Sequence, residues 1–260
     1  MYSLRTYDDL AVAWRGLRAR GVRVREVACV GAPRTLLLAE LGDSQAPTVS
    51  VSAGVHGDEP AGPWALVALV RDGLLDARFA YRIWPCLNPG GYRAGTRENP
   101  EGADINRSFS RGGTTPEARA VITANRDRRF VLALDLHEDF EASGTYLYEP
   151  LPPGGQPRFA HAVVRALEDA GLPVQDLEHG YDLGVPPTET PPYRLERGAV
   201  VVDARAEIRL FPGLPASLSH FRRGTPPLTF ETPRPRPWDE RLAAHRVAVT
   251  TALAVLAATS

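Results

Sequence analysis

The chain has 260 residues, 43% of them hydrophobic and 23% charged, with a net charge of −1. That is enough for one large α/β domain with a buried core, in proportions ordinary for a globular protein. The near-neutral charge offers no basic footprint for nucleic acid or an anionic membrane, and no apolar stretch reaches membrane-spanning length.

The N-terminus, MYSLRTYDDLAVAWRGL, lacks the apolar block of a signal peptide, so a soluble cytoplasmic protein is expected. Residues 6–20 predict a helix with Leu10, Trp14 and Leu17 on one face. VRVREVACV (22–30) and TLLLAEL (35–41) predict paired strands around the turn GAPR. TVSVSAG (48–54) predicts a strand whose end delivers His56, and Pro60 suits the first turn of a helix running to about Leu75. FAYRIWPCL (79–87) reads as the next strand. Cys29 and Cys86 both fall in apolar runs, which suits buried thiols better than a disulfide or a metal pair.

Residues 88–113 read as a Gly- and Pro-rich loop, and Thr115-Pro116-Glu117 starts a helix over 116–128. FVLALDL (130–136) predicts a buried strand ending at His137, and TYLYE (145–149) a short one. Residues 157–170 predict an amphipathic helix with Phe159, Val163 and Leu167 in register; 173–198 reads as a second Gly- and Pro-rich loop. AVVVDA (199–204) and PLTFE (227–231) are later strands, and Trp238, Leu242, Val249, Leu253 and Leu256 mark a last helix. No repeat or long linker divides the chain, so a single catalytic domain over 1–260 is expected. Alternating strands and helices, with several strands apolar on both faces, predict an α/β three-layer sandwich. Its mixed, mostly parallel twisted sheet is covered by helices on both faces.

Ligand sites in such folds lie beyond the carboxyl ends of strands. GVHGDEPAG (54–62) offers His56 and Glu59 there, DLHED (135–139) offers His137, and LTFETP (228–233) offers Glu231. Two histidines and a carboxylate make a common catalytic zinc set that leaves one position for water, and a further glutamate can take a proton from that water. His-x-x-Glu is not the HExxH helix motif and by itself is balanced against a surface pair; a lone strand-end His137 more often satisfies local structure. His161 and His245 sit on amphipathic helices, where solvated or packing roles fit better.

The loop NPGGYRAGTRENPEGADINRSF (88–109) shifts that balance. It carries Arg97, Asp104, Asn106 and Arg107 in a chain that uses no Lys and has few Asn. A hydrolase cutting beside a free carboxylate needs a cation for that carboxylate and a donor for the oxyanion. Two arginines and an asparagine can supply both; the alternative is a network internal to the loop.

In order, the chain shows His-x-x-Glu, Asn-Pro-x-Gly, Arg-x-Asn, Gly-x-Asp-x-Asn-Arg, strand-His and Thr-x-Glu. From about residue 48 to 233 this resembles the zinc carboxypeptidases of the carboxypeptidase A superfamily. The resemblance implies one Zn2+ per chain held by His56, Glu59 and His137, with Glu231 as general base and acid. It implies Arg97 as oxyanion donor, Asn106 and Arg107 as the clamp on the substrate carboxylate, and Asp104 as the carboxylate orienting His56. The compact form and the HGDE wording are most similar to small bacterial members such as murein-peptide amidases. The aspartoacylase and succinylglutamate desuccinylase branch, which shares HG-D/N-E and Asn-Arg, ranks second. NPGG and the nine positions between Arg97 and Asn106 fit the peptidase pattern better, and no extra C-terminal β-domain of the desuccinylase kind is evident.

The chain departs from the larger digestive enzymes, which carry a mobile tyrosine well upstream of the catalytic glutamate. Tyr146, Tyr181, Tyr193 and His220 remain open for that role, and Arg222 and Arg223 are either selectors of acidic side chains or solvated charges. The function expected is zinc-dependent hydrolysis of a C-terminal peptide or amide bond. Its substrate is a peptide or N-acyl amino acid with a free carboxylate, without nucleic acid or membrane partners. The rivals are a deacylase of N-acyl amino acids and a binding module without catalysis, the latter disfavoured by the intact Glu231.

Overall fold

Apolar, β-branched runs alternate with helices, and pairing those runs side by side satisfies their backbone groups while burying both faces. In the computed structural model, which describes residues 6–110, 112–152, 154–179, 193–203 and 225–259, they form one nine-stranded sheet. The strands are β1 (Arg23–Ala28), β2 (Thr35–Leu41), β3 (Thr48–Ala53), β4 (Ala80–Trp84), β5 (Leu132–Asp139), β6 (Tyr146–Leu151), β7 (Tyr193–Glu196), β8 (Ala199–Asp203) and β9 (Pro227–Pro233). Their order is β1-β2-β4-β3-β5-β9-β6-β8-β7. The centre, β4-β3-β5-β9, is parallel; β1, β2, β6 and β7 each make antiparallel pairs that flank it. The sheet is thus mixed, as the hairpin near the N-terminus requires.

Six α-helices accompany it among the described residues: α1 (Tyr7–Gly16), α2 (Ala61–Arg71), α3 (Pro89–Ala94), α4 (Pro116–Ala124), α5 (Arg158–Asp169) and α6 (Trp238–Ala257). Thr6 caps α1 with a reciprocal bond from Asp9, and Thr115 caps α4 ahead of Pro116. α1, α2, α5 and α6 cover one face over a core that includes Val49, Val51, Leu134, Leu136 and Phe230. On the other face, α4 and the segment around Ile105 and Phe109 cover Leu36, Leu38 and Trp84. Alternation along each strand puts Leu37 and Ala39 under the first layer and Leu36 and Leu38 under the second. No helix among the described residues is long and apolar enough to cross a membrane.

Several boundaries differ from the pattern-based expectation. α2 ends at Arg71, and Pro60 stands at the cap position just before it. β5 continues through His137 to Asp139 and β9 through Glu231 to Pro233, because the two strands pair all the way to those residues. Part of the 88–113 loop is helical: Asn88 caps α3 by accepting from the Gly91 N–H at 2.8 Å, and Pro89 occupies the first turn. β7 was not expected from its sequence; it pairs antiparallel with β8. Tyr181, His220, Arg222 and Arg223 lie outside the described residues.

His245 is fully buried in α6, not solvated, with Nε2 3.0 Å from Thr232 Oγ1. Burial, helped by the nearby His137 charge, pushes its pKa down to about 3. Below the unfolded value near 6.5 the unfolded chain takes up a proton that the folded chain refuses. Its contribution to stability is therefore intact above that value and lost as pH falls, at up to about 1.4 kcal/mol per pH unit. Unfolding midpoints between neutral and acid pH are expected to fall less steeply for His245→Gln than for the wild type. Parallel acid limbs would contradict this.

Candidate metal centre

Strand ends and the turns that follow them converge at the carboxyl edge of the parallel centre. His56 and Glu59 occupy the turn between β3 and α2, and His137 lies near the end of the adjoining β5. That turn is tightly packed: a Cβ on Gly57 would stand 2.1 Å from the Gly91 carbonyl carbon, so only glycine lets α3 approach it.

His56, Glu59 and His137 are all buried and can bring one ligand atom each within 4.8 Å of one another. The Glu59 carboxylate bridges the two rings: Oε1 lies 2.5 Å from His56 Nδ1 and Oε2 3.0 Å from His137 Nδ1. The outer ring nitrogens face other carboxylates. His137 Nε2 is 3.2 Å from Asp135 Oδ2, whereas His56 Nε2 lies 3.5 Å from Asp104 Oδ1 in ion-pair range without a hydrogen bond. Both inner nitrogens thus turn to Glu59, with Asp135 holding the outer edge of His137 and the Asp104 carboxylate facing that of His56. Two inner nitrogens and one carboxylate, with outer nitrogens oriented by acids, form a donor set suited to a divalent transition ion.

The electrostatics agree. Burial opposes charge on both rings, but Glu59 and Asp104 raise His56, and Asp135 and Glu59 raise His137 well above the ordinary value. Burial likewise opposes charge on Glu59, yet the two rings hold it well below the usual carboxylate range. The centre is built to hold positive charge between acids.

Glu231 stands opposite His137 in the parallel β5–β9 register and opposite Tyr146 in the antiparallel β6–β9 register. Residues at one level of adjacent strands point to the same face, so these three form a row across the sheet. Desolvation pushes the Glu231 carboxyl up to about 8 against the opposing His137 charge, with Glu59 and Asp139 adding to the rise. Among the residues left open for the tyrosine role, Tyr146 is therefore beside Glu231, its hydroxyl donating to Asp139 Oδ2 at 2.6 Å. Tyr193 is on β7, at the far edge of the sheet.

Arg97 reaches the same point from the loop after α3. Its Nη1 is 3.3 Å from His56 Nδ1 and 3.9 Å from Glu59 Oε1, and Nη2 donates to Asp104 Oδ2 at 3.1 Å. Asp104 then caps a short 3-10 turn, accepting from the Asn106 N–H at 2.7 Å. Arg107 Nη1 donates to the Asn106 carbonyl at 3.1 Å, and its charge is one of those lowering the Asp104 pKa. The loop is anchored from behind by Arg34, whose Nε donates to the buried Glu117 at 2.5 Å while its other nitrogens hold Glu101.

Sequence reasoning missed Asp135, which is also held by Ser52 Oγ at 2.8 Å. Its signal was present: two residues before His137 on a strand, it shares that histidine's face.

A family model described as the succinylglutamate desuccinylase/aspartoacylase catalytic domain matches residues 45–182, just over half of the 260 residues. This is the branch that motif spacing ranked second. Carboxypeptidase SOL1 of Arabidopsis thaliana is 28% identical over 160 residues; the match covers 51% of this chain and 33% of that protein, so the chain spans about a third of the relative's length. A candidate metallopeptidase from Shewanella denitrificans superposes with a TM-score of 0.76 at 23% identity, covering 96% of this chain and 90% of the other. A metallo-carboxypeptidase from Pseudomonas aeruginosa, solved with (2-guanidinoethylmercapto)succinic acid, superposes at 0.68 with 18% identity, covering 96% of this chain and 68% of the other. At these identities the structural likeness is one of fold.

Proposed function

The chain belongs to the succinylglutamate desuccinylase/aspartoacylase catalytic-domain family, and within it we propose that the chain is a zinc-dependent carboxypeptidase. It hydrolyses the amide bond next to a free carboxylate, and residues 1–260 act as one catalytic domain. The observation that carries this reading is the convergence of His56, Glu59 and His137 on one point, with Glu231 in register beside them and Arg97 facing the same atoms.

His56, Glu59 and His137 hold the zinc, which when bound lowers the pKa of a water and polarises the scissile carbonyl. Asp104 and Asp135 keep the two imidazoles turned inward. Glu231 takes the proton from the attacking water and hands it to the leaving amine. Arg97 donates to the oxyanion, and Asn106 and Arg107 grip the substrate carboxylate, bidentate in the case of the guanidinium.

The matched family model supports a second reading, a deacylase of N-acyl amino acids. Both readings place an amino-acid carboxylate beside the cleaved bond, and they differ in what lies on the acyl side. Purified zinc-loaded protein assayed on dipeptides, murein peptides, and N-acetyl and N-succinyl amino acids, with products identified by mass, separates them. Release of amino acids from peptides supports the carboxypeptidase; release of acetate or succinate alone supports the deacylase; no turnover on any of them overturns both.

The clamp has its own test. Arg107→Ala is expected to depress kcat/KM on free-carboxylate substrates about 10–150-fold, the equivalent of the roughly 1.5–3 kcal/mol of a charge-assisted hydrogen bond. C-terminally amidated analogues should lose far less. Equal losses on both substrate types would make Arg107 a structural element of the loop.

A further inference from the structure

The long helix α6 packs a largely apolar face on the sheet, but two polar residues one turn apart, Arg241 and His245, interrupt it and are buried there. Strand alternation accounts for their partners. His137 and Glu231 point to the metal side, so the residues that follow them, Glu138 and Thr232, point to the helices. His245 meets Thr232, and Arg241 Nη1 donates to Glu138 Oε1.

Glu138 does more than accept from Arg241. Its Oε2 accepts from the Ala61 N–H at 2.8 Å, at the start of α2 and two residues beyond Glu59. Its own backbone N–H donates to Glu59 Oε2 at 3.1 Å. One residue of β5 therefore holds the His56–Glu59 turn twice, by the carboxylate of the metal-side glutamate and by the first turn of the helix behind it. Pro60 has no side chain to cap α2, and Glu138 supplies the acceptor and the negative charge that a helix N-terminus favours.

The Glu138 side chain is fully buried and that of Arg241 is 7% exposed. A buried ion pair is a weak source of stability, since apolar groups of similar volume commonly serve as well. The inner ligand atoms come from two elements, β5 and the turn before α2, and only the first is held in the strand ladder. Metal sites require their ligands fixed to within about 0.5 Å. We propose that Glu138 and Arg241 are positioning residues that set the distance between the His56–Glu59 turn and His137. This rests on the metal-centre reading above.

The test uses the whole chain with Glu138→Met and Arg241→Met combined, so that neither charge is left buried alone. Zinc affinity is measured by competition with a chromophoric chelator, and ligand geometry by the visible spectrum of the cobalt-loaded protein. The metal-free melting transition of the double variant is expected to stay cooperative. Its zinc affinity is expected to fall about 10–100-fold, the usual effect of losing a group that orients ligands, and its cobalt spectrum to shift. A folded double variant with wild-type affinity and spectrum overturns the proposal and leaves the pair a structural role. Should it fail to fold, Glu138→Gln decides on the same readouts: it keeps the volume but removes the negative charge that Arg241 and the start of α2 face, and wild-type values there overturn the proposal equally. Wild-type protein that binds neither ion overturns the metal reading and this inference together; wild-type binding with unchanged variants overturns this inference alone.

Discussion

Glu59→Gln should leave a folded protein that binds zinc more than about 100-fold more weakly, because losing a group that merely orients a ligand already costs about 10–100-fold. Among the described residues Glu59 alone bonds both rings, at 2.5 Å from His56 Nδ1 and 3.0 Å from His137 Nδ1. The amide keeps the size and can still accept from the Glu138 N–H, so packing is preserved while the charge disappears. Elemental analysis after dialysis against buffered zinc reads the outcome directly. His161→Ala is the control, since that ring sits at the surface with Glu196, 2.7 Å away, and should leave zinc binding intact. Stoichiometric zinc in the Glu59→Gln protein would remove Glu59 from the ligand set. Zinc affinity should also weaken as pH falls, because both rings have raised pKa values and an entering ion must displace their protons.

Glu231→Gln separates the base from the ligands. It should fold, bind zinc and bind substrate, yet lose at least about 100-fold in turnover, the lower range for removal of a general base. Three protein ligands suffice for a catalytic zinc, which leaves Glu231 free to face the water. Its pKa, pushed up to about 8 by desolvation despite His137, is lowered by any cation held by the neighbouring ligands, which favours the ionised carboxylate. A base with a pKa near the working pH is the efficient case. Near-normal turnover in the variant would reject the role. Loss of zinc along with activity would instead make Glu231 a ligand and cast doubt on Glu59.

Much of this centre was legible because the chemistry sits at strand ends. An apolar run followed by His56, another reaching His137 and a third reaching Glu231 mark three points that an α/β sheet gathers at one edge. Local signals also worked where the physics is local. The Thr115 cap and the turn before β2 depend on residues close together in the chain. They weakened where local signals conflict. Asn88-Pro89 is a helix start, but the two glycines that follow argue for a loop, and α3 survives there because its cap and tight packing outweigh their flexibility.

By itself, then, the sequence determined the element types outside α3 and β7, the alternation that buries both faces, and the residue types able to hold a metal ion and move a proton. The tertiary structure alone decided which strands are neighbours. The placement of β9 between β5 and β6 joins residues almost a hundred positions apart, and it is this pairing that sets Glu231 level with both His137 and Tyr146. It also decided the partners that sequence reasoning had missed: Asp135 for His137, and Glu138 with Arg241 behind Glu59. The reason is physical. Propensity and periodicity act over one or two turns of chain, whereas strand order and buried charge pairing arise from contacts between distant segments that exist only once the sheet has closed around them.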